Sequence, residues 1–134
     1  MLVLPAAARD RLVAHCVAAV PLEGCGLLVG DLDGRVIDAV GVRNAAASAL
    51  RYSADPAEQL AVDRDAQRRG LEVIGAFHSH THTEAWPSPT DVAAAVDPSW
   101  HWVVVSLKSA DPVLRSFRIA DGAIAEEPVE IVED

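Results

Sequence analysis

The segment "GAFHSHTHTEAWPSPTDV", residues 75–92, decides how the rest of the chain is interpreted. It closes an apolar stretch with three histidines at alternating positions and continues into "SPTD" at 88–91. In an extended chain, residues two apart face the same side, about 6.6 Å from each other, so His78 and His80 can bind one ion. Asp91 supplies a third ligand if the chain turns back after the prolines.

Two histidines and one carboxylate leave a coordination position open, which is typical of a catalytic zinc site rather than a structural one. The tetrapeptide also fits a helix start that needs no metal. In that interpretation Ser88 is the N-cap, Pro89 is the first helical residue and Asp91 is the acid of a capping box. The two interpretations are partly compatible, because a helix N-terminus favours negative charge and the Ser88 hydroxyl can donate to an oxyanion.

Hydrolysis at such a site needs a base that takes a proton from water and passes it to the leaving amine. The candidate is Glu23 in "PLEGCGLLVG", residues 21–30, at the start of a predicted strand. The glycines beside it permit close approach of the backbone. This segment alone fits equally well with a solvated acid that has no chemical role.

The composition restricts the class of protein. Eleven Lys and Arg against 20 Asp and Glu give a net charge of −9, which argues against nucleic acid and anionic membrane surfaces as partners. The two cysteines form no CxxC motif and favour reduced thiols in a cytosol. No apolar run approaches the about 20 residues of a membrane span, and the N-terminus lacks the pattern of a signal peptide. The sequence therefore predicts a cytoplasmic protein with one domain over residues 1–134.

Hydrophobic periodicity predicts an α/β sandwich in which helices alternate with antiparallel hairpins. The apolar run "WHWVVVSL" at 100–107 predicts a central strand that is buried on both faces. The sequence is also compatible with a short strand around Tyr52. Helices are predicted at 6–20, 56–69 and 88 to about 96, and the other strands at 24–30, 35–43, 72–78, 113–120 and 123–132.

Together these residues resemble the JAMM (MPN+) metalloprotease family. The family pattern is an upstream Glu before a Gly-rich strand, then His-x-His, seven residues, Ser, two residues and Asp. The sequence matches this pattern, with the same spacing, at Glu23, His78, His80, Ser88 and Asp91. The resemblance implies one zinc ion per chain on His78, His80 and Asp91, with Glu23 as general acid/base and Ser88 stabilising the oxyanion. It also implies a single-domain, three-layer, cytidine-deaminase-like α/β sandwich around a mixed sheet.

The segment at 43–60 resembles the family's connection between the second strand and the following helix, and the segments at 82–92 and 114–134 are similar in particular to the bacterial Mec-type branch. That branch releases cysteine from the C-terminus of a ubiquitin-like sulfur-carrier protein of the CysO type, a step in cysteine synthesis. The resemblance therefore implies a carrier with a Gly-Gly-Cys tail as the partner. Two alternatives remain open: an isopeptidase that processes another ubiquitin-like carrier, and a metal-free MPN scaffold that only binds. The oligomeric state is left open as well.

Other side chains receive weaker interpretations. Trp86 fits a clamp on the carrier's tail and, equally, a loop aromatic that covers the core. His82 lies outside the family pattern and is expected to be an exposed loop residue; a substrate contact and an extra metal ligand stay open as alternatives, and it is not assigned to the metal. Ser79 points away from the ligands and is expected in core packing or a backbone hydrogen bond.

The sequence also supports predictions for two more histidines and for the acidic end of the chain. His15 lies off the apolar stripe of its helix and is predicted to be exposed. His101 belongs to no motif and is given no function. The acidic end, residues 121–134, is predicted to be a solvated edge strand.

Overall fold

Helices and strands alternate along residues 1–133, the part of the chain that this computed structural model describes. Residue 134, the last of the predicted domain and of the acidic end, lies outside the described residues. The helices are α1 (Ala6–Ala19), α2 (Pro56–Arg68) and α3 (Pro89–Ala94). The strands are β1 (Leu2–Pro5), β2 (Cys25–Gly30), β3 (Val36–Val42), β4 (Glu72–His80), β5 (His101–Ser106), β6 (Val113–Ala120), β7 (Ala123–Glu127) and β8 (Val129–Val132).

Six strands form one mixed sheet in the order β3-β2-β4-β5-β6-β7. Neighbours in this sheet run antiparallel except β4 and β5, which are parallel. All six residues of β5 are buried, because this apolar strand is covered on both faces. The predicted central strand is therefore confirmed.

The sheet is the middle of three layers. On one face, α1 buries Leu12 against Phe77 and Val103 of the sheet. On the other face, Ala76 and Trp102 pack with apolar residues of α2 and α3. The predicted three-layer α/β sandwich is therefore confirmed. Within residues 1–133, no helix is both long and apolar enough to cross a membrane.

The chain ends differ from the prediction. The predicted strand at 123–132 is two strands, because Pro128 has no N–H to donate to a ladder. β7 stays in the main sheet, whereas β8 pairs in parallel with β1, which the sequence did not predict. The short strand allowed near Tyr52 is absent among the described residues, where Ala54 forms only an isolated bridge with Asn44.

Two predictions about polar side chains are also wrong. His15 is half-buried, with its Nε2 3.2 Å from the Val42 carbonyl oxygen and its ring edge on Phe77. The acidic end is not wholly solvated, since the Glu127 carboxylate is buried and lies 2.7 Å from His101 Nδ1. A buried carboxylate needs such partners to replace water.

Candidate metal-dependent active site

Three side chains converge where β4 ends and α3 begins. Strand alternation places His78 and His80 on the same face of β4, and both are buried. The Nε2 atoms of the two rings lie 3.2 Å apart, and each is 2.9 Å from Asp91 Oδ2. One ligand atom from each residue thus lies within 4.8 Å of the others, a spacing at which all three can bind one ion.

The helix start orients the carboxylate ligand. Ser88 Oγ accepts a hydrogen bond from the Asp91 N–H at 3.1 Å, and the Ser88 N–H donates to Asp91 Oδ2 at 2.9 Å. This is the predicted capping box, with Pro89 as the first helical residue. The interpretations of this tetrapeptide as a helix cap and as part of a metal site are therefore compatible, because the cap holds Asp91 toward the histidines.

The hydrogen-bond chemistry of His80 tests whether a cation fits between these groups. His80 Nδ1 lies 2.9 Å from the Glu84 carbonyl oxygen, which only accepts, so Nδ1 carries the proton. In neutral His80 the Nε2 lone pair then faces a carboxylate oxygen at 2.9 Å. Two lone pairs repel each other unless a positive charge lies between them. The donor set fits a metal such as zinc, which binds imidazole nitrogen and carboxylate oxygen.

The pKa shifts of His80 and Asp91 agree with the need for a positive charge between them. Burial lowers the pKa of His80, but the hydrogen bond to Asp91 and the Glu84 carbonyl outweigh it and leave the pKa raised. Burial raises the pKa of Asp91, but hydrogen bonds from both histidines outweigh this effect and hold the pKa well below its usual range. The site therefore favours a negative carboxylate beside a positive charge, which either a proton or a metal ion can supply.

His78 is held in the neutral form that binds metals. Burial lowers the pKa of His78, and this effect outweighs the opposing contribution of Asp91. One face of its ring stacks on half-buried Tyr52, with ring centroids 4.4 Å apart. The stack fixes the plane of the imidazole and hence the direction of Nε2.

Glu23 is placed by hydrogen bonds between β4 and the residues before β2. The Gly24 N–H donates to Ser79 Oγ at 2.8 Å, and the Ser79 N–H donates to the Gly24 carbonyl at 3.0 Å. The Asn44 amide donates to the Glu23 carbonyl at 3.0 Å. The expected backbone hydrogen bond of Ser79 is confirmed, and its effect is to connect the candidate base to the strand that carries both histidines.

The Glu23 carboxyl has the environment of a proton carrier. The residue is only 4% exposed, and its Oε1 has no hydrogen-bond partner. Burial is the main reason that the pKa of Glu23 rises to about 7, with the charge of Asp91 adding to the rise and that of His80 opposing it. A carboxyl with a pKa near neutrality can both accept and donate a proton under physiological conditions.

This raised pKa predicts a pH-dependent stability of the metal-free protein. The folded state binds the Glu23 proton more tightly than the unfolded state, so this carboxyl lowers the free energy of unfolding as pH rises from about 4.5 to about 7. Glu23→Gln should therefore raise the melting temperature more at pH 8 than at pH 5. Thermal melts in the presence of a chelator measure this, and an equal shift at both pH values would contradict it.

A small cavity brings the candidate catalytic groups together. Glu23, His80 and Ser88 line it together with other residues of the β3–α2 loop (residues 43–55) and the β4–α3 loop (81–88). His82 is exposed in the second loop and bonds Thr81, as expected of a loop residue. Trp86 is 47% exposed, and its ring edge packs on Phe117. Its part in clamping a substrate stays a prediction.

Two residues of this site were missed from the sequence. Tyr52 stacks on His78, and Asn44 holds the β3–α2 loop through bonds to the Ser48 and Arg51 carbonyls. Neither belongs to the spaced family pattern. The available indication for Tyr52 was that it is the chain's single tyrosine and the one aromatic residue between 43 and 55.

Comparisons with known proteins agree with this geometry. The family model described as prokaryotic homologs of the JAB domain matches residues 5–120. The CysO-cysteine peptidase of Mycobacterium tuberculosis (strain ATCC 25618 / H37Rv) is 42% identical over 137 residues, which cover 99% of this chain and 92% of that protein. The desampylase of Haloferax volcanii is 33% identical over 109 residues, which cover 77% of this chain and 78% of that protein.

A solved structure also matches the whole fold. The solution structure of a protein from Desulfitobacterium hafniense superimposes with a TM-score of 0.92 at 36% identity. The match covers 100% of this chain and 94% of that one. The three-layer arrangement of helices and sheet is therefore shared along the full length.

Proposed function

The chain belongs to the prokaryotic JAB-domain family and is a peptidase, and on that premise we propose that it is zinc-dependent and releases a C-terminal cysteine from a ubiquitin-like sulfur-carrier protein. The scissile bond is the peptide bond between the carrier's last glycine and that cysteine. The proposal includes one zinc ion per chain, a role in cysteine synthesis, a cytoplasmic location and one domain over residues 1–134.

The observation that carries the proposal is the convergence of ligands and base in one place. His78, His80 and Asp91 lie at ion-binding distance, and Glu23 lines the adjoining cavity with His80. The name of the Mycobacterium tuberculosis relative supports the substrate, because its 42% identity extends over nearly the whole chain. The free thiols of Cys16 and Cys25 agree with a reducing cytoplasm.

The mechanism follows from what these side chains can do. When bound by His78, His80 and Asp91, zinc supplies a Lewis acid that polarises a carbonyl and acidifies water. Glu23 takes the proton of the attacking water and returns it to the amine of the departing cysteine. The Ser88 hydroxyl, whose oxygen already accepts from the Asp91 N–H, keeps its own proton free to donate to the developing oxyanion.

The same site indicates how the carrier's tail is held. Two glycines before the scissile bond allow the backbone to approach the cavity closely. An extended tail can add main-chain hydrogen bonds in the manner of an extra strand. Trp86, half-exposed beside the cavity loop, can cover that tail.

Intact-mass spectrometry of a carrier that ends in Gly-Gly-Cys tests the proposal. We expect the zinc-loaded protein to remove one cysteine residue, and the protein treated with chelator to leave the carrier intact until zinc is restored. A sample that retains no zinc after reconstitution would contradict the enzyme and support the metal-free scaffold. Cleavage that persists without metal would contradict zinc dependence.

A second candidate function is the deconjugation of another ubiquitin-like carrier. The observation that favours it is the 33% identity to the Haloferax volcanii desampylase. A substrate in which the carrier's C-terminal glycine is joined to a lysine side chain separates the two functions. Faster cleavage of this isopeptide than of the Gly-Gly-Cys tail would move the assignment to deconjugation.

A further inference from the structure

A second cleft lies on the same face of the sheet as the candidate metal site. His78 is paired with Val104 of β5, and Val104 is paired with Arg115 of β6. Side chains paired across neighbouring strands point to the same face of a sheet, so Arg115 shares the face of His78. With strands about 4.8 Å apart, the Cα atoms of these two residues are separated by roughly 10 Å. The cleft that Arg115 lines has no lining residue in common with the cavity beside Glu23.

A buried serine anchors this cleft. Ser106, at the end of β5, is 4% exposed and lines the cleft. Its Oγ donates a hydrogen bond to the Thr83 carbonyl and accepts one from the Lys108 N–H at 3.3 Å. These two bonds fix the backbone of Lys108 relative to the β4–α3 loop. The cleft is therefore held in shape by the protein's own hydrogen bonds.

Two cationic side chains line the cleft with their donors free. Lys108 Nζ lies 3.9 Å from Glu84 Oε1, and Arg115 Nε lies 3.8 Å from Glu126 Oε2. Both distances are longer than a hydrogen bond. In the part of the chain that the structure describes, neither cationic group donates a hydrogen bond to a protein atom. A ligand with acceptor oxygens can therefore bind to both without displacing an internal contact.

The cleft also contains a negative charge, which restricts the class of ligand. The exposed Glu84 carboxylate lines it together with Lys108 and Arg115. This carboxylate repels a simple anion, whereas a ligand that carries both charges can pair with all three groups. An α-amino acid offers a carboxylate to the two cations and an ammonium group to Glu84. The forked guanidinium of arginine suits a carboxylate in particular.

The size and the remaining lining fit one small molecule. The volume of the cleft is about 290 Å³, at the lower end of the roughly 300–1,000 Å³ of pockets that bind small ligands. Ala85 and Val113 add methyl groups to the lining. Val113 is 44% exposed, so it gains burial when the side chain of a bound amino acid packs on it.

From this arrangement we propose that the cleft between the β4–α3 loop and the β5–β6 end of the sheet binds a free α-amino acid. Arg115 and Lys108 bind its carboxylate, and Glu84 binds its ammonium group. The Glu84 carbonyl oxygen lies 2.9 Å from His80 Nδ1, so a ligand held by the Glu84 side chain contacts the residue that orients a candidate metal ligand. The inference goes beyond the proposed peptidase function and does not depend on it.

The test is an NMR titration of zinc-free, ¹⁵N-labelled protein with L-alanine. Propionate and ethylamine serve as comparison probes, because each lacks one of the two charged groups of alanine. We expect alanine to shift the amide signals of residues 84–85, 106–109 and 113–115 in a saturable way. Each comparison probe should bind about 10-fold more weakly, because it loses one charge-assisted contact.

Variants of the three charged residues sharpen the test. Arg115→Gln and Lys108→Gln should each weaken alanine binding about five-fold or more. Glu84→Gln should weaken the binding of alanine but strengthen that of propionate, because it removes both the partner of the ammonium group and the repulsion of the carboxylate. Arg64→Gln, which removes an exposed arginine of α2 outside the cleft, should leave alanine binding unchanged.

The possible outcomes separate this site from the peptidase. Equal affinity for alanine and propionate would refute an amino-acid site and leave a site for anions. Absent shifts, or shifts that persist unchanged in both Arg115→Gln and Lys108→Gln, would refute the cleft as a binding site. The titration contains neither zinc nor a carrier, so a failure of carrier cleavage would refute the proposed function alone.

Discussion

Glu23→Gln is expected to lower kcat/KM for cysteine release by about 10³-fold, within the 10²–10⁴-fold range of general acid–base catalysis. Glutamine keeps the volume and one acceptor oxygen but cannot carry the proton between water and the leaving amine. The buried Glu23 carboxyl has a pKa of about 7 and an Oε1 without a hydrogen-bond partner, so it can take up and release the proton near neutral pH. Kinetics on a carrier that ends in Gly-Gly-Cys measure the loss.

The same variant should keep its metal and its fold. Glu23 is not one of the three residues grouped at ion-binding distance, so the zinc content of Glu23→Gln should equal that of the unaltered protein. Glu72→Gln, an exposed glutamate at the start of β4, is the matched control and should retain full activity. A Glu23→Gln protein with normal zinc and normal turnover would remove Glu23 from the mechanism.

Asp91→Ala and Asp91→Asn are both expected to abolish activity, and stability measurements distinguish the two variants. Asp91→Ala removes both the candidate carboxylate ligand and the acceptor for the Ser88 N–H, so it should lose zinc. It should also lose about 1 kcal/mol of stability, because the capping box keeps only one of its two hydrogen bonds. Asp91→Asn keeps an oxygen that accepts from Ser88 but loses the negative charge. It should lose zinc affinity while retaining most of the helix cap.

Zinc titration and chelator-treated thermal melts check this pair of variants. We expect zinc affinity to fall by more than the about 10–100-fold typical of residues that only orient ligands. Asp55→Ala removes a comparable cap from α2, where Asp55 accepts from the Ala57 and Glu58 N–H groups. It should lower the melting temperature and leave zinc binding unchanged. Wild-type zinc affinity in Asp91→Ala would exclude Asp91 as a ligand.

The spaced motif and the strong periodic segments were predictable from the sequence. The histidines, Ser88 and Asp91 lie within 14 residues of chain, so strand alternation and cap chemistry place them relative to one another. The buried β5 followed from its continuous apolar run. These features depend on interactions between residues that are close in the sequence, so the sequence alone is enough to predict them.

The missed features depend on contacts between distant parts of the chain. Pairing of β1 with β8 brings together residues more than 120 positions apart, and no local pattern in either strand indicates its partner. His15 was assigned to solvent because it lies off the apolar stripe of its helix, and Glu127 because its segment is acidic. The groups that bury them, Phe77 and His101, become neighbours only when the sheet and helices assemble.

The exchange of hydrogen bonds between Gly24 and Ser79 also bears on how activity is acquired during folding. Cys25 stands opposite His78 in the β2–β4 ladder, so the candidate base and the two histidines are aligned by a single strand register. A slip of one residue in β4 would turn both imidazoles to the opposite face of the sheet. With Glu23 as the proposed base, a refolding chain is expected to recover turnover only after β2 and β4 have paired correctly, so the return of activity measures the rate of that step.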